Sequence, residues 1–281
     1  MHWLTATLVP RACQRITDGF RGCWCLQPVG KQWLRVADSK KKTDEENVNE
    51  QSKLVKFQQS AWKGISYAFL AASSGYALSG ETFWMHTEEF WTGCEASLPC
   101  KYQPSAAIQN AYAFQLAYYL YVVPSLLFFE KRKKDHWAML AHHCATVTLV
   151  GHSFILGWTK AGVLIMFMHD IADPFMEMAK MARYSGQEKL TDALFLVFMV
   201  AWIVPRMFYF PLWVLRSMLF ECLESVVGEN SRPAAPHYEL MTGLLMLLQI
   251  LHAYWTFLIL RIAYTAVVKG DMEDDRESEE D

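Results

Sequence analysis

The sequence predicts an all-α, multi-pass membrane protein. Apolar stretches long enough to cross a bilayer recur along the chain, and charges are segregated between them. No stretch alternates polar and apolar residues at every second position, as the strands of a membrane barrel do. The 281 residues are 53% hydrophobic and 14% aromatic. That apolar share is only slightly above a soluble protein's, so the distribution carries the expectation rather than the average. Charge gathers in residues 1–63, 130–135 and 183–189 and after residue 269.

A helical span needs about 20 mainly apolar residues. Residues 105–129, 136–159, 161–182, 190–215 and 240–264 meet that need, and the uncharged, small-residue-rich stretch 64–80 is read as a sixth span. With six spans, one set of loops holds Lys40, Lys41, Lys42, Lys131, Arg132, Lys133, Lys134, Arg183, Lys189 and Lys269. Lysine and arginine mark the cytosolic side, so both termini are expected in the cytosol and the loops 81–104 and 217–238 opposite. Trp84, Trp91, Trp158 and Trp213 fall near that second face, as an interfacial aromatic belt does. Residues 1–60 read as a disordered cytosolic extension, 61–268 as the membrane domain, and 269–281 as a solvated acidic tail. The net charge of −3 is uninformative, and no basic block interleaved with aromatics points to nucleic acid. Seven cysteines form no paired CxxC set of a zinc site. Cys94 and Cys100 share one non-cytosolic loop, and the spacing leaves open a disulfide or two free thiols.

The costly feature is a set of ionisable groups at bilayer depth. His142 and His143 enter the span 136–159 about one and a half turns from its cytosolic end. The following span holds His169, Asp170, Asp173, Glu177, Lys180 and, near its end, Tyr184. Intramembrane carboxylates and lysines cost about 2.5–3.5 kcal/mol each by insertion scales. On one helix, 170, 173, 177, 180 and 184 share a face, which must turn inward. Antiparallel neighbouring spans bring that face to the depth of the histidine pair. Pro174 is expected to kink the helix. Adjacent histidines point about 100° apart, so His142 and His143 should have different partners. Interhelical glue is the bland reading of such a stripe, and a lone His152 or His252 fits it. The chain lacks the repeated HxxxH and HxxHH boxes of membrane di-iron hydroxylases. A zinc set of His142, His143, His169 and Asp173 ranks low because adjacent histidines on one helix rarely share an ion; no metal site is expected.

The pattern resembles the Lag motif of ceramide synthases, within the TLC domain family. The opening His142-His143-Cys144-Ala145-Thr146 looks like that family's histidine pair. His169, Asp170, Asp173, Glu177, Lys180 and Tyr184 match the His-Asp-x-x-Asp-x-x-Leu-Glu-x-x-Lys-x-x-x-Tyr core, with Met176 in place of leucine. The basic loop 131–135, Arg206 with Pro211, the run from Leu248 through His252 to Trp255, and Asp274-Asp275-Arg276 also resemble the family. The likeness covers about residues 53–281. It departs at Ser153, Phe154, Gly157 and Lys160, where ceramide synthases usually show Ser-Tyr-x-x-Asn-x-x-Arg, and residues 1–50 match no part of the family.

The resemblance implies a barrel-like bundle of six helices in the endoplasmic reticulum membrane. It implies transfer of a fatty acyl group from acyl-CoA to a sphingoid base (sphinganine or sphingosine), giving (dihydro)ceramide. No cofactor is implied beyond acyl-CoA as co-substrate, and a homo- or heterodimer is compatible. The residues fit that chemistry on their own terms. A protonated amine must lose a proton, and a thioester carbonyl needs a nucleophile and an oxyanion partner. The expected scheme has His142 take the acyl group as an acyl-imidazole, with His143 and His169 relaying protons or steadying the oxyanion and Asp170 and Asp173 orienting imidazoles and attracting the amine. Direct transfer with a His–Asp general base is the competing scheme. Glu177, Lys180, Tyr184 and Arg206 are expected in substrate binding, and Lys131 and Arg132 beside the CoA. A non-enzymatic TLC-family lipid sensor or translocon-associated protein is the alternative of a different class.

Overall fold

The computed structural model describes residues 44–94, 98–130, 132–227 and 235–269. Among the described residues there is no strand. The helices are α1 (Asp44–Leu78), α2 (Ala106–Phe128), α3 (His136–Leu156), α4 (Thr159–Asp170), α5 (Asp173–Tyr184), α6 (Glu188–Ile203) and α7 (Ala235–Lys269). Between α6 and α7 the chain continues in π-helical register over Val204–Leu215 and Ser217–Val227. Pro205 and Pro211 lie in this stretch and cannot donate to a preceding carbonyl.

Four helices are long and apolar enough to cross a membrane: α2, α3, the continuous run Glu188–Val226, and Ala235–Val268 of α7. The chain is therefore an all-α polytopic membrane protein, with four helices of that kind among the described residues where six spans were expected. Two expected spans differ for physical reasons. The stretch 161–182 is two 12-residue helices, α4 and α5, separated at Ile171 and Ala172. Pro174 lacks the N–H that would return to the Asp170 carbonyl, and proline is best accommodated in a helix's first turn, where it stands in α5. The stretch 64–80 lies within α1, which starts at Asp44, so the boundary drawn at residue 60 falls inside a helix. Its first half is rich in Glu, Gln and Lys, which form helix well but are polar. The expected loop 217–238 is shorter as well, because helical structure runs on to Val227. Residues 44–60, expected to be a disordered part of the extension, are the helical start of α1; residues 1–43 and 270–281, the rest of that extension and nearly all of the acidic tail, lie outside the described residues.

Two compact units make up the chain. One comprises residues up to Ser66 together with Pro174–Leu196; the other comprises Tyr67–Asp173 and the residues from Val197 onward. Within the first, α1 and α5 approach closely: a Cβ on Gly64 would stand 3.3 Å from the Glu177 Cβ.

The second unit holds the apolar core. Ser105 caps α2 by accepting from the Ile108 N–H at 3.4 Å. Helix α3 ends on Gly157, in the left-handed region at φ 79°. A Cβ at that glycine would meet the Cys100 backbone nitrogen at 3.1 Å, so both conformation and space require glycine. The connection between α1 and α2 folds back on the core through a 3₁₀ turn, Thr87–Trp91. Trp91 Nε1 donates to Ser217 Oγ at 2.9 Å, Ser217 donates to Glu221 at 2.6 Å, and Thr87 donates to Glu221 at 3.0 Å. Lys160 donates to the Glu89 carbonyl at 2.9 Å and lies 4.5 Å over the Tyr102 ring.

Cys94 and Cys100 are disulfide-bonded, which resolves the alternative left open by their spacing. Alkylation of denatured, non-reduced protein is therefore expected to label neither residue, and reduction to expose both. Recovery of both as alkylated peptides without reduction would show that they are free thiols.

Candidate active site

Helix α3 carries the histidine pair near its N-terminal end, and the two rings do face different neighbours. His142 is half-buried. Its ring lies edge-on to Trp255 at 5.4 Å and near-parallel to His169 at 6.3 Å. His143 is buried and lies 5.5 Å from Tyr119 of α2. Trp255 is fixed by its own N–H, which donates to Asp135 Oδ2 at 3.3 Å just ahead of α3. A residue of the basic loop thus holds the tryptophan against which His142 rests. His142 Nδ1 is buried and has no hydrogen-bond partner.

His169, near the end of α4, is committed at both ring nitrogens. Nδ1 lies 2.6 Å from the Ile165 carbonyl, which can only accept, so Nδ1 carries the proton. In the neutral ring, Nε2 is then an acceptor, and it lies 2.9 Å from Nε2 of His252, which must donate. His252, on α7, is fully buried, and its Nδ1 has no partner. Both ring nitrogens of His169 therefore face a partner within the protein. The π-helical segment contributes Arg206. It donates to the His169 carbonyl, lies 3.5 Å from Asp173 Oδ1, and stacks its guanidinium 3.6 Å over Trp202. Trp202 in turn donates to Thr256 at 3.0 Å, one helical turn beyond His252.

Asp170 is buried to 1% exposure and accepts a hydrogen bond from the Gln115 side-chain amide of α2. Below this cluster lies an apolar cavity. Asp170, His169 and Gln115 line one end, and Trp91, Trp158 and Met218 the other. Trp91 and Trp158 meet edge to face at 5.6 Å and are almost fully buried.

Six expected residues thus share one unit: His142, His143, His169, Asp170, Asp173 and Arg206. The single-helix stripe is corrected, because Asp170 ends α4 and Asp173 begins α5. Glu177, Lys180 and Tyr184 lie on α5 in the other unit, where Lys180 pairs with the buried Glu177 at 2.8 Å. Arg132 is exposed, its guanidinium 5.9 Å from the Trp137 ring centre, and Lys131 lies outside the described residues. Sequence reading missed Gln115, Tyr119 and Trp255 as site residues and set His252 aside as interhelical glue. Two signals were available: Gln115 and His252 interrupt otherwise apolar spans, and His252 and Trp255 lie in the family-like run from Leu248.

Arg206→Met removes the cation that meets the Asp173 carboxylate and the His169 carbonyl. Breaking a buried pair costs about 3–5 kcal/mol. The thermal unfolding temperature of detergent-purified protein is expected to fall clearly, and an unchanged value would show that Arg206 is not a brace.

Residues 56–261 match the TLC domain family model. The chain belongs to the TLC domain family. Within it, this TLC domain is similar to ASC1-like protein 1 of Oryza sativa subsp. japonica, 30% identical over 258 residues, covering 92% of this chain and 82% of that protein. It is 31% identical over 258 residues to Ceramide synthase LOH1 of Arabidopsis thaliana, covering 88% and 82%. Ceramide synthase 5 of Mus musculus is 34% identical over 227 residues, covering 80% of this chain and 52% of that protein. The matched stretch of the TLC domain contains each of the buried histidines, Asp170, Asp173 and Arg206.

Proposed function

We propose that this chain is a ceramide synthase, transferring a fatty acyl group from acyl-CoA to the amine of a sphingoid base. The observation that carries the reading is a buried imidazole and carboxylate cluster at one end of an apolar cavity. Similarity to proteins named ceramide synthases supports the choice of reaction. Charges at this depth are costly to keep without a task, and an apolar cavity running away from them suits an alkyl chain.

In the scheme, a lone pair of the His142 ring attacks the thioester carbonyl. The C–S bond breaks and CoA leaves as thiolate, giving an acyl-imidazole. The sphingoid amine, held and deprotonated beside Asp170 with His143 as the nearby imidazole, then attacks the same carbonyl. An amide N–C bond forms, the imidazole leaves, and the amine's proton passes to the base. His169, fixed by Ile165 and His252, packs against the His142 ring and holds it in place. Arg206 and Asp173 brace the α4–α5 break beneath Asp170. In the competing scheme the amine attacks the thioester directly, with no covalent step. Neither scheme uses a resident cofactor. Arg132, Lys133 and Lys134 lie beside the His142 end of α3 and suit the anionic CoA. The reading places the protein in the endoplasmic reticulum membrane, with the 131–135 loop and both termini cytosolic and the Cys94–Cys100 loop in the oxidising lumen.

The test is a membrane assay with sphinganine and a panel of acyl-CoAs, for wild type, His142→Ala and Asp170→Ala. Ceramide formation by wild type and its loss in both variants is expected. Undiminished activity in both variants would refute the site, and the absence of activity in wild type would favour a non-enzymatic lipid sensor or translocon-associated role. Intact mass after acyl-CoA alone separates the two schemes, because only the first leaves an acyl adduct.

A further inference from the structure

Gln115 lines the cavity, and the acyl-transfer scheme leaves its chemistry unused. It lies on α2, amid an apolar run, and is 1% exposed. Its amide N–H₂ donates to Asp170 Oδ2. That bond orients the amide, because an ionised carboxylate only accepts. The side-chain oxygen Oε1 is therefore the remaining free end, and it is buried without a hydrogen-bond partner. An unmet buried acceptor is costly, and the penalty is relieved when a ligand brings a donor. Asp170 and Gln115 line the same cavity, so they present two kinds of acceptor, one anionic and one neutral, side by side.

We propose that Gln115 is a specificity-determining residue for the amine substrate: its Oε1 accepts from a hydroxyl adjacent to the amine, while Asp170 takes the amine itself. The ligand chemistry this pair fits is a 2-amino alcohol head on a long alkyl chain. A simple long-chain amine satisfies Asp170 but leaves the amide oxygen unmet. The inference rests on the ceramide synthase reading and deepens it, by naming how the second substrate is told apart from other membrane amines. Sites that hydrogen-bond a substrate hydroxyl reject the analogue lacking it, because the protein group is left unpaired.

The experiment compares sphinganine with its 1-deoxy and 3-deoxy analogues, in wild type and in Gln115→Leu, at saturating acyl-CoA. Wild type is expected to prefer sphinganine over at least one analogue by about tenfold in kcat/KM, the size of one well-made hydrogen bond. In Gln115→Leu that preference is expected to collapse toward unity, through a higher KM for sphinganine, with the KM for acyl-CoA unchanged. If Gln115 only holds Asp170 in place, all three bases lose by the same factor and the ratio survives; that result overturns the proposal. Equal use of the three bases by wild type overturns it too. Absence of ceramide formation in wild type defeats the underlying reading instead. Where Gln115→Leu fails to fold or turn over, Gln115→Met and equilibrium displacement of labelled sphinganine by each analogue from purified protein give the same ratio without catalysis.

Discussion

Asp170→Asn is expected to lower ceramide formation by about 10²–10⁴-fold, the range attributable to a positioned acid or base, while leaving the folded protein intact. The substitution is nearly isosteric, and the asparagine side-chain oxygen can still accept from the Gln115 amide that meets Asp170 now. What is lost is the negative charge that would hold an ammonium and the basic oxygen that would take its proton. Reaction rate in membranes, beside the thermal unfolding temperature in detergent, checks the prediction. The asparagine variant should unfold near the wild-type temperature. Wild-type turnover in Asp170→Asn would remove this carboxylate from the chemistry and leave the histidines to carry it alone.

The second large effect is expected at Gly162. A Cβ there would overlap the Tyr112 hydroxyl and stand 3.1 Å from Ser153 Oγ. Tyr112 is buried at 3% exposure, and its hydroxyl is shared with Ser153 at 3.0 Å. Gly162→Ala must therefore break that contact and push the ring aside. Overpacking of this kind costs about 1–3 kcal/mol. Gly162, Tyr112 and Ser153 all line the cavity, so a displaced ring takes room from whatever the cavity holds. On the acyl-chain reading, the profile across an acyl-CoA panel shifts toward shorter chains, with long-chain substrates losing at least several-fold more activity than short ones. A uniform loss across the panel would mean that the cavity does not receive the chain.

Charge made part of this site legible in the sequence and composition hid the rest. His142, His143, His169, Asp170, Asp173 and Arg206 stood out because ionisable groups in apolar spans are expensive. The structure places these six in a single unit. Gln115 and Trp255 carry no charge, and their importance comes from which atoms face them, which a linear pattern does not encode. His252 was visible but assigned to packing, because its partner His169 lies far along the chain. The helical fold class followed from periodicity and length. The break at Ile171–Ala172 was signalled by Pro174, but the size of its consequence was not. A kink leaves one face continuous, whereas two helices give Glu177 and Lys180 a separate setting from Asp170. The extension of α6 to Val227 was hidden because apolar length alone sets no upper bound on a helix that leaves the bilayer.

The cavity's far wall has an evolutionary consequence. Trp91 belongs to a short turn outside the long helices, held in place by Ser217 and Glu221 and followed directly by the Cys94–Cys100 link. Residues in such a connection can change without interrupting the backbone of a membrane span, whereas those around His142 and Asp170 sit within one. Where the cavity ends and what happens at its reactive end are thus written in separate stretches of sequence. A lineage could retune part of the first through this turn while the second stayed fixed, with Trp158 and Met218 setting the rest of that wall.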